Sequence, residues 1–106
     1  MDPMPFDSDD VLLAQRLKAL AHPARLTIVR ALMAAHRCSC GDIVRNLPLA
    51  QSTVSQHLKV LREAGLIRGE IEGPRSCYWV DAGALGEVAA TVEGLAAPAR
   101  DMAGAA

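Results

Sequence analysis

The sequence predicts a mainly α-helical fold carrying one small β-hairpin, and three observations carry that expectation. Residues 51–66, QSTVSQHLKVLREAGL, place Val54, Leu58 and Leu61 at i, i+4 and i+7, which makes one apolar stripe of a helix. Immediately afterwards the period changes to two: Ile67, Gly69 and Ile71 alternate with Arg68, Glu70 and Glu72, and Gly73-Pro74-Arg75 turns the chain into a second strand over 76–81. Apolar helical patterns also stand at both ends of a chain of only 106 residues, whose single domain buries a modest core and gains by pairing with a second copy. Together these describe a mainly helical domain with a hairpin wing after the helix at 51–66, whose apolar ends favour completing the core by oligomerisation.

The elements follow in order. Residues 1–7, with Pro3 and Pro5, form a loose arm. Ser8 is the expected N-cap of a first helix, with Asp9 and Asp10 in the first turn, where the helix dipole favours anions. That helix runs to about Ala21 with Leu13, Leu17 and Leu20 on one stripe and Leu12 beside it. His22-Pro23 marks the break, and Pro23 suits the first position of a second helix reaching about Ala35, with Leu26, Val29 and Met33 on one face and Ile28 and Leu32 next to it. HRCSCG (36–41) is a short connection, and Asp42 to Leu47 a short helix. Pro48-Leu49-Ala50 then turns tightly into the helix at 51–66, which gives a helix-turn-helix pattern. Gly65 stops that helix and Leu66 closes the cap. Asp81 caps a last helix through about Ala97, where Leu85, Val88, Val92 and Leu95 fall at the 3, 4, 3 spacing of a helix-pairing seam. The domain thus spans 8–97, and 98–106 is expected to be a frayed tail.

Charge narrows the function. Residues 1–15 hold four acids and no base, and 16–62 hold eight bases against one acid, Asp42. Residues 63–106 hold seven acids against three bases, so a formal net charge of −1 conceals a basic middle between acidic ends. That distribution suits a protein presenting one face to nucleic acid. No nucleophile-base constellation or phosphate loop points to an enzyme. The acidic N-terminus does not read as a signal peptide, no stretch is long and apolar enough to cross a membrane, and three cysteines cannot all pair internally. A reducing cytoplasm is the expected setting.

The outer face of the helix at 51–66 carries Ser52, Ser55, Gln56, Lys59 and Glu63, with Arg62 on its shoulder. An ordinary solvated face alternates Lys with Glu. Short hydroxyls and an amide followed by cations are instead the groups that bond base edges and phosphates in a major groove. The expected DNA-contacting set is Gln51, Ser52, Thr53, Ser55, Gln56, His57, Lys59 and Arg62, with Arg75 reaching phosphate or the minor groove from the hairpin tip. His57 lies toward the apolar stripe, so a hydrogen-bonded structural role stands beside base contact. His22 either starts a helix or meets phosphate, and His36 reads as a lone surface residue or an added nitrogen ligand. A protein-interaction module that kept this fold without binding DNA is the alternative from another class.

The runs LKALAHPARLTIVRAL (17–32), DIVRNL (42–47), QSTVSQHLKVLREAGLI (51–67) and EGPRSCYWV (72–80) resemble the ArsR/SmtB family of winged-helix repressors over roughly residues 9–95. The resemblance implies a winged helix-turn-helix homodimer built from the first and last helices, whose two recognition helices enter successive major grooves of an imperfectly palindromic double-stranded operator. It also implies a repressor that an inducer releases from DNA. Ala50 departs from the family's capping Ser at the start of the recognition helix, a change that costs about 1 kcal/mol locally unless Ser52 caps a later start.

Members of this family that sense arsenite or soft divalent metals often carry Cys-x-Cys near the short helix, and Cys38-Ser39-Cys40 resembles that site. Thiolates are soft ligands, and a helix N-terminus lowers a thiol's pKa. Gly41 displaces the pair by one residue from the family pattern, and the family's third nearby cysteine is absent. If 37–40 pairs as a strand with the second hairpin strand, as such folds often do, Cys77 becomes a third thiolate for a trigonal As(III) or Sb(III) site. Cys77 is equally readable as a small buried strand residue. Cd/Pb-type ions, or oxidation and reactive sulfur, are the alternative signals. The family's other sensor site, on the last helix, is not expected, because 84–97 offers Glu87 and Glu93 and no His.

Overall fold

The computed structural model describes residues 5–35, 39–40, 47–72 and 75–104. Its elements are α1 (Ser8–Leu20), α2 (Pro23–Ala34), β1 (Ser39–Cys40), α3 (Gln51–Glu63), β2 (Ile67–Glu72), β3 (Arg75–Val80) and α4 (Ala82–Gly104). The short helix expected at 42–47 lies outside the described residues except for Leu47, and so do residues 36–38 and 73–74.

Local chemistry sets most helix ends. Asp7, one residue before the expected Ser8, caps α1 by accepting from the Asp9 N–H at 2.8 Å. A carboxylate accepts more strongly than a hydroxyl and adds its charge to the dipole's favoured end. Pro23 opens α2 as expected, and His22 caps it, its Nδ1 accepting from the Ala24 N–H at 3.0 Å. Ala50 gives α3 no side-chain cap. At the other end Gly65 takes φ +77, the Gly65 N–H donates to the Arg62 carbonyl, and the Leu66 N–H donates to the Leu61 carbonyl, both at 3.0 Å. These two bonds form a Schellman cap.

α4 runs beyond the expected end at Ala97, through Pro98 to Gly104. Pro98 removes one backbone donor. Ala96, Ala97 and Ala99 around it have the strongest helix preference, and Arg100 pairs with Glu93 across the same stretch.

The core gathers where the helices meet the sheet. Ile28, Leu32, Val54, Leu61, Leu66 and Ile67 are its fully buried large side chains. The α3 stripe is buried as expected, Val54, Leu58 and Leu61 all facing inward. α2 buries Ile28, Val29 and Leu32, while Leu26 and Met33, expected on one face with Val29, are exposed. α1 buries Leu13 and Ala19 and leaves Leu12 and Leu17 exposed. Four Leu over two turns of α1 give no sharp period, so the pattern alone does not choose the buried side. No helix among the described residues is long and apolar enough to cross a membrane.

The sheet is antiparallel in the order β1-β3-β2. β3 pairs with β2 from Ile67↔Val80 to Glu72↔Arg75, so the expected hairpin follows α3 directly. β1 is the described part of the strand expected at 37–40, and it pairs with β3 at Ser39↔Tyr78 and Cys40↔Cys77. Gly69 is fixed by its neighbour: a Cβ there would lie 2.8 Å from Tyr78 Cε1, and Tyr78 is buried in the core. Gly69→Ala should therefore lower stability by about 1–3 kcal/mol through overpacking, read as a lower urea midpoint with an unchanged slope.

Candidate nucleic-acid interface

α3 presents its polar side as a continuous solvent-facing surface. Gln51, Ser52, Ser55, Gln56, Lys59 and Arg62 are exposed, while Val54, Leu58 and Leu61 anchor the opposite side. Small donors and acceptors come first, and the two cations follow one and two turns later. This order lets the N-terminal half bond base edges while Lys59 and Arg62 meet phosphate. Thr53 and His57, expected in the same set, are half-buried on its flank. Arg75 stands at the first residue of β3, paired with Glu72 across the hairpin.

His57 faces α2. Its Nδ1 lies 3.2 Å from Arg25 Nη1, and its ring centroid lies 4.6 Å from that of His22. A guanidinium has no acceptor, so His57 Nδ1 accepts and the ring proton sits on Nε2. Partial burial, then the charges of His22 and Arg25, lower the His57 pKa from its ordinary value. The structural role weighed for His57 is therefore the geometry found, and His22 takes the helix-starting role.

Asp81 ties the hairpin to α4. Its Oδ1 accepts from the Ala84 N–H at 3.0 Å, capping α4 as expected, and its Oδ2 accepts from Arg68 Nε at 2.9 Å. The Asp81 N–H donates to the Leu66 carbonyl at 2.9 Å, so the end of α3, the hairpin base and α4 meet at one residue. The Ala84 N–H first, then Arg68, hold the Asp81 carboxyl below its usual range. A depressed carboxyl contributes stability above its unfolded pKa and loses it as pH falls through the folded value. Asp81→Asn should accordingly flatten the part of the acid-unfolding curve below about pH 4, checked by circular dichroism against wild type.

Two cysteines, Cys40 and Cys77, lie in the β1–β3 pairing. Cys40 is in register with Cys77, and Cys77 is disulfide-bonded. Cys38 and His36 lie outside the described residues. Among the described residues no group of three His, Cys, Asp or Glu side chains is placed to hold a metal ion.

Two of the contacts between distant helices have no counterpart in the expectations from sequence. Arg16 of α1 pairs with Glu87 of α4 at 2.7 Å, and Arg25 reaches His57 across 32 positions. For the second, the signal present was a basic residue two positions after Pro23 and a His on the inner flank of α3.

The comparisons agree with this architecture. Residues 22–68 match the family model described as bacterial regulatory protein, arsR family. The HTH-type transcriptional regulator YgaV of Escherichia coli is 34% identical over 80% of this chain and 86% of its own length. The HTH-type transcriptional repressor SmtB of Mycobacterium tuberculosis is 44% identical over 58% of this chain and 45% of its own length. An ArsR-like transcriptional regulator from Rhodococcus sp. RHA1 shares the fold, with a TM-score of 0.75, 23% identity and coverage of 93% of this chain and 92% of that one. The family is one of transcriptional regulators and not of enzymes. With its hairpin directly after α3 and its polar α3 face, the chain belongs to the ArsR/SmtB family of winged-helix transcriptional repressors, which bind operator DNA.

Proposed function

We propose that the protein is a homodimeric repressor that grips an imperfect palindrome through paired α3 helices and releases it when its cysteines react with an inducer. The observation that carries the DNA-reading part is the exposed Ser/Gln/Lys/Arg side of α3 set against a buried stripe. Apolar side chains left exposed on α1 and α4, namely Leu12, Leu17, Val92 and Leu95, support a dimer built from the first and last helices. Burying a Leu or Val side chain stabilises by about 1.5–3 kcal/mol.

For the inducer, the Cys40↔Cys77 register supports a thiol site spanning β1 and β3, with Cys38 two residues before Cys40. The leading inducer is As(III) or Sb(III). Three thiols displace three hydroxides from As(OH)3, forming three As–S bonds and releasing three waters. A soft ion of the Cd/Pb type would take the same thiolates. The disulfide at Cys77 favours a second reading, thiol oxidation, in which two thiols lose two protons and pass two electrons to a peroxide or reactive sulfur species.

Single Cys→Ser changes at 38, 40 and 77 separate these readings. Reduced wild type should leave its duplex on adding arsenite, and at least two of the three variants should release at least tenfold less readily; arsenite release unchanged in all three would sink the metalloid site. Release by peroxide, reversed by dithiothreitol and lost in Cys77→Ser, would instead assign oxidation. Trp79, the only tryptophan and two residues from Cys77, gives a fluorescence signal for either event.

A further inference from the structure

Arg25 is an unusual side chain to find between two helices. It projects from the first turn of α2 and is half-buried. Its Nη1 reaches His57 on α3, and its Nε is buried with no hydrogen-bond partner among the described residues. A guanidinium placed this way is stable only while its acceptor holds still, because losing that acceptor leaves a further donor unsatisfied. His22 also packs against the same ring, with centroids 4.6 Å apart, and is itself fixed by its cap bond to the Ala24 N–H.

We propose that Arg25 is a positioning residue for DNA reading: through His57, with His22 against the same ring, it sets the rotation of α3 on α2 and thereby the angle at which Ser55, Gln56 and Lys59 face the groove. The inference rests on α3 being the DNA-reading helix. Hydrophobic packing of Val54, Leu58 and Leu61 holds α3 to the core but tolerates small rotations. A charged hydrogen bond has a direction, and this one joins the scaffold to the reading helix on the flank of its exposed face.

The arrangement needs His57 to accept at Nδ1. Protonating it would point an N–H at Arg25 and put two cations in contact. Arg25 and His22 of α2 are the charged or titratable groups that act on His57. Its neighbours one turn away on α3 (Thr53, Val54, Val60 and Leu61) carry no charge. Lys59, Arg62 and Glu63 of α3, and Lys18 in the last turn of α1, which also packs on α3, are exposed. Because the folded pKa of His57 is depressed, its contribution is complete above the unfolded value near 6.5 and is lost as pH falls through the folded value.

The test uses the full chain and a duplex selected by the wild-type protein from a random library, with binding measured by fluorescence anisotropy from 50 to 200 mM salt at pH 7.5 and 5.5. Arg25→Ala and His57→Leu should each weaken binding about tenfold with an unchanged salt slope. His57→Asn, whose side-chain oxygen lies near the Nδ1 position, should recover most of the His57→Leu loss. Wild type should weaken more than His57→Asn on going to pH 5.5. A salt slope reduced by about one in Arg25→Ala would make it a direct phosphate contact and overturn the proposal. Equal losses in His57→Leu and His57→Asn, or wild type tightening relative to His57→Asn at pH 5.5, would overturn it too. If wild type selects no duplex, the DNA reading fails instead. The Arg25–His57 link is then judged by thermal unfolding alone: the wild-type midpoint should drop more than that of His57→Asn at pH 5.5, and Arg25→Ala should remove the difference.

Discussion

Leu61→Ala is expected to cost about 3 kcal/mol and to lower the thermal midpoint on the order of 15 °C. Leu61 is 0% exposed and sits in the cluster that joins α2, α3 and β2. Ile28 and Leu32 of α2 and Ile67 of β2, in the same cluster, are fixed by two other elements, so they cannot collapse freely into the space left behind. A small domain has about 5–15 kcal/mol in total, so the loss takes a large share of it. Thermal unfolding followed at 222 nm checks the figure. A drop of only a few degrees would mean that α3 is not anchored through this stripe. The same change should also weaken duplex binding, since a recognition helix that rocks on its core spreads its contacts over several registers.

The second large effect is electrostatic. Lys59→Ala combined with Arg62→Ala should reduce duplex affinity at least tenfold and make the slope of log affinity against log salt shallower by about 1.8 per protomer. Both side chains are exposed on the C-terminal half of α3. Gln56→Ala should behave differently, lowering the preference for the selected site over random duplex while leaving the slope alone. Loss of affinity in the double variant without a change of slope would show that these cations act through folding and not through phosphate.

How far the sequence revealed this molecule differs from element to element. α3 was legible in full, including its weak start at Ala50 and its stop at Gly65, because one buried stripe and one polar face give an unambiguous period. The hairpin was legible because its period of two begins where the helical period stops. α1 and α2 were legible as helices but not as faces. They carry more apolar residues than one core needs, and Leu12, Leu17, Leu26 and Met33 remain exposed in the single chain. The end of α4 was misread because Pro98 outweighed the alanines around it, although those alanines keep the helix going to Gly104.

The candidate site divides in the same way. The exposed α3 residues followed from periodicity alone. His57 could be placed on a flank but not given a partner, because Arg25 lies 32 residues away and no local pattern records such a pairing. The pairing of β1 with β3 was argued from topology, and the Cys40↔Cys77 register agrees with it. The tight seat of Tyr78 over Gly69 had no sequence signal beyond a glycine inside a strand. Contacts between distant segments depend on how helices cross, and that angle is set by side-chain shapes that periodicity does not encode.

Selection of duplexes by the intact protein tests most directly whether it is a two-fold DNA reader built around α3. The expected result is an enriched imperfect palindrome with half-sites about one helical turn apart, bound with a steep salt dependence that Lys59→Ala with Arg62→Ala reduces. No enriched sequence, or binding insensitive to salt, would contradict a DNA-reading role and favour a winged-helix protein-interaction module.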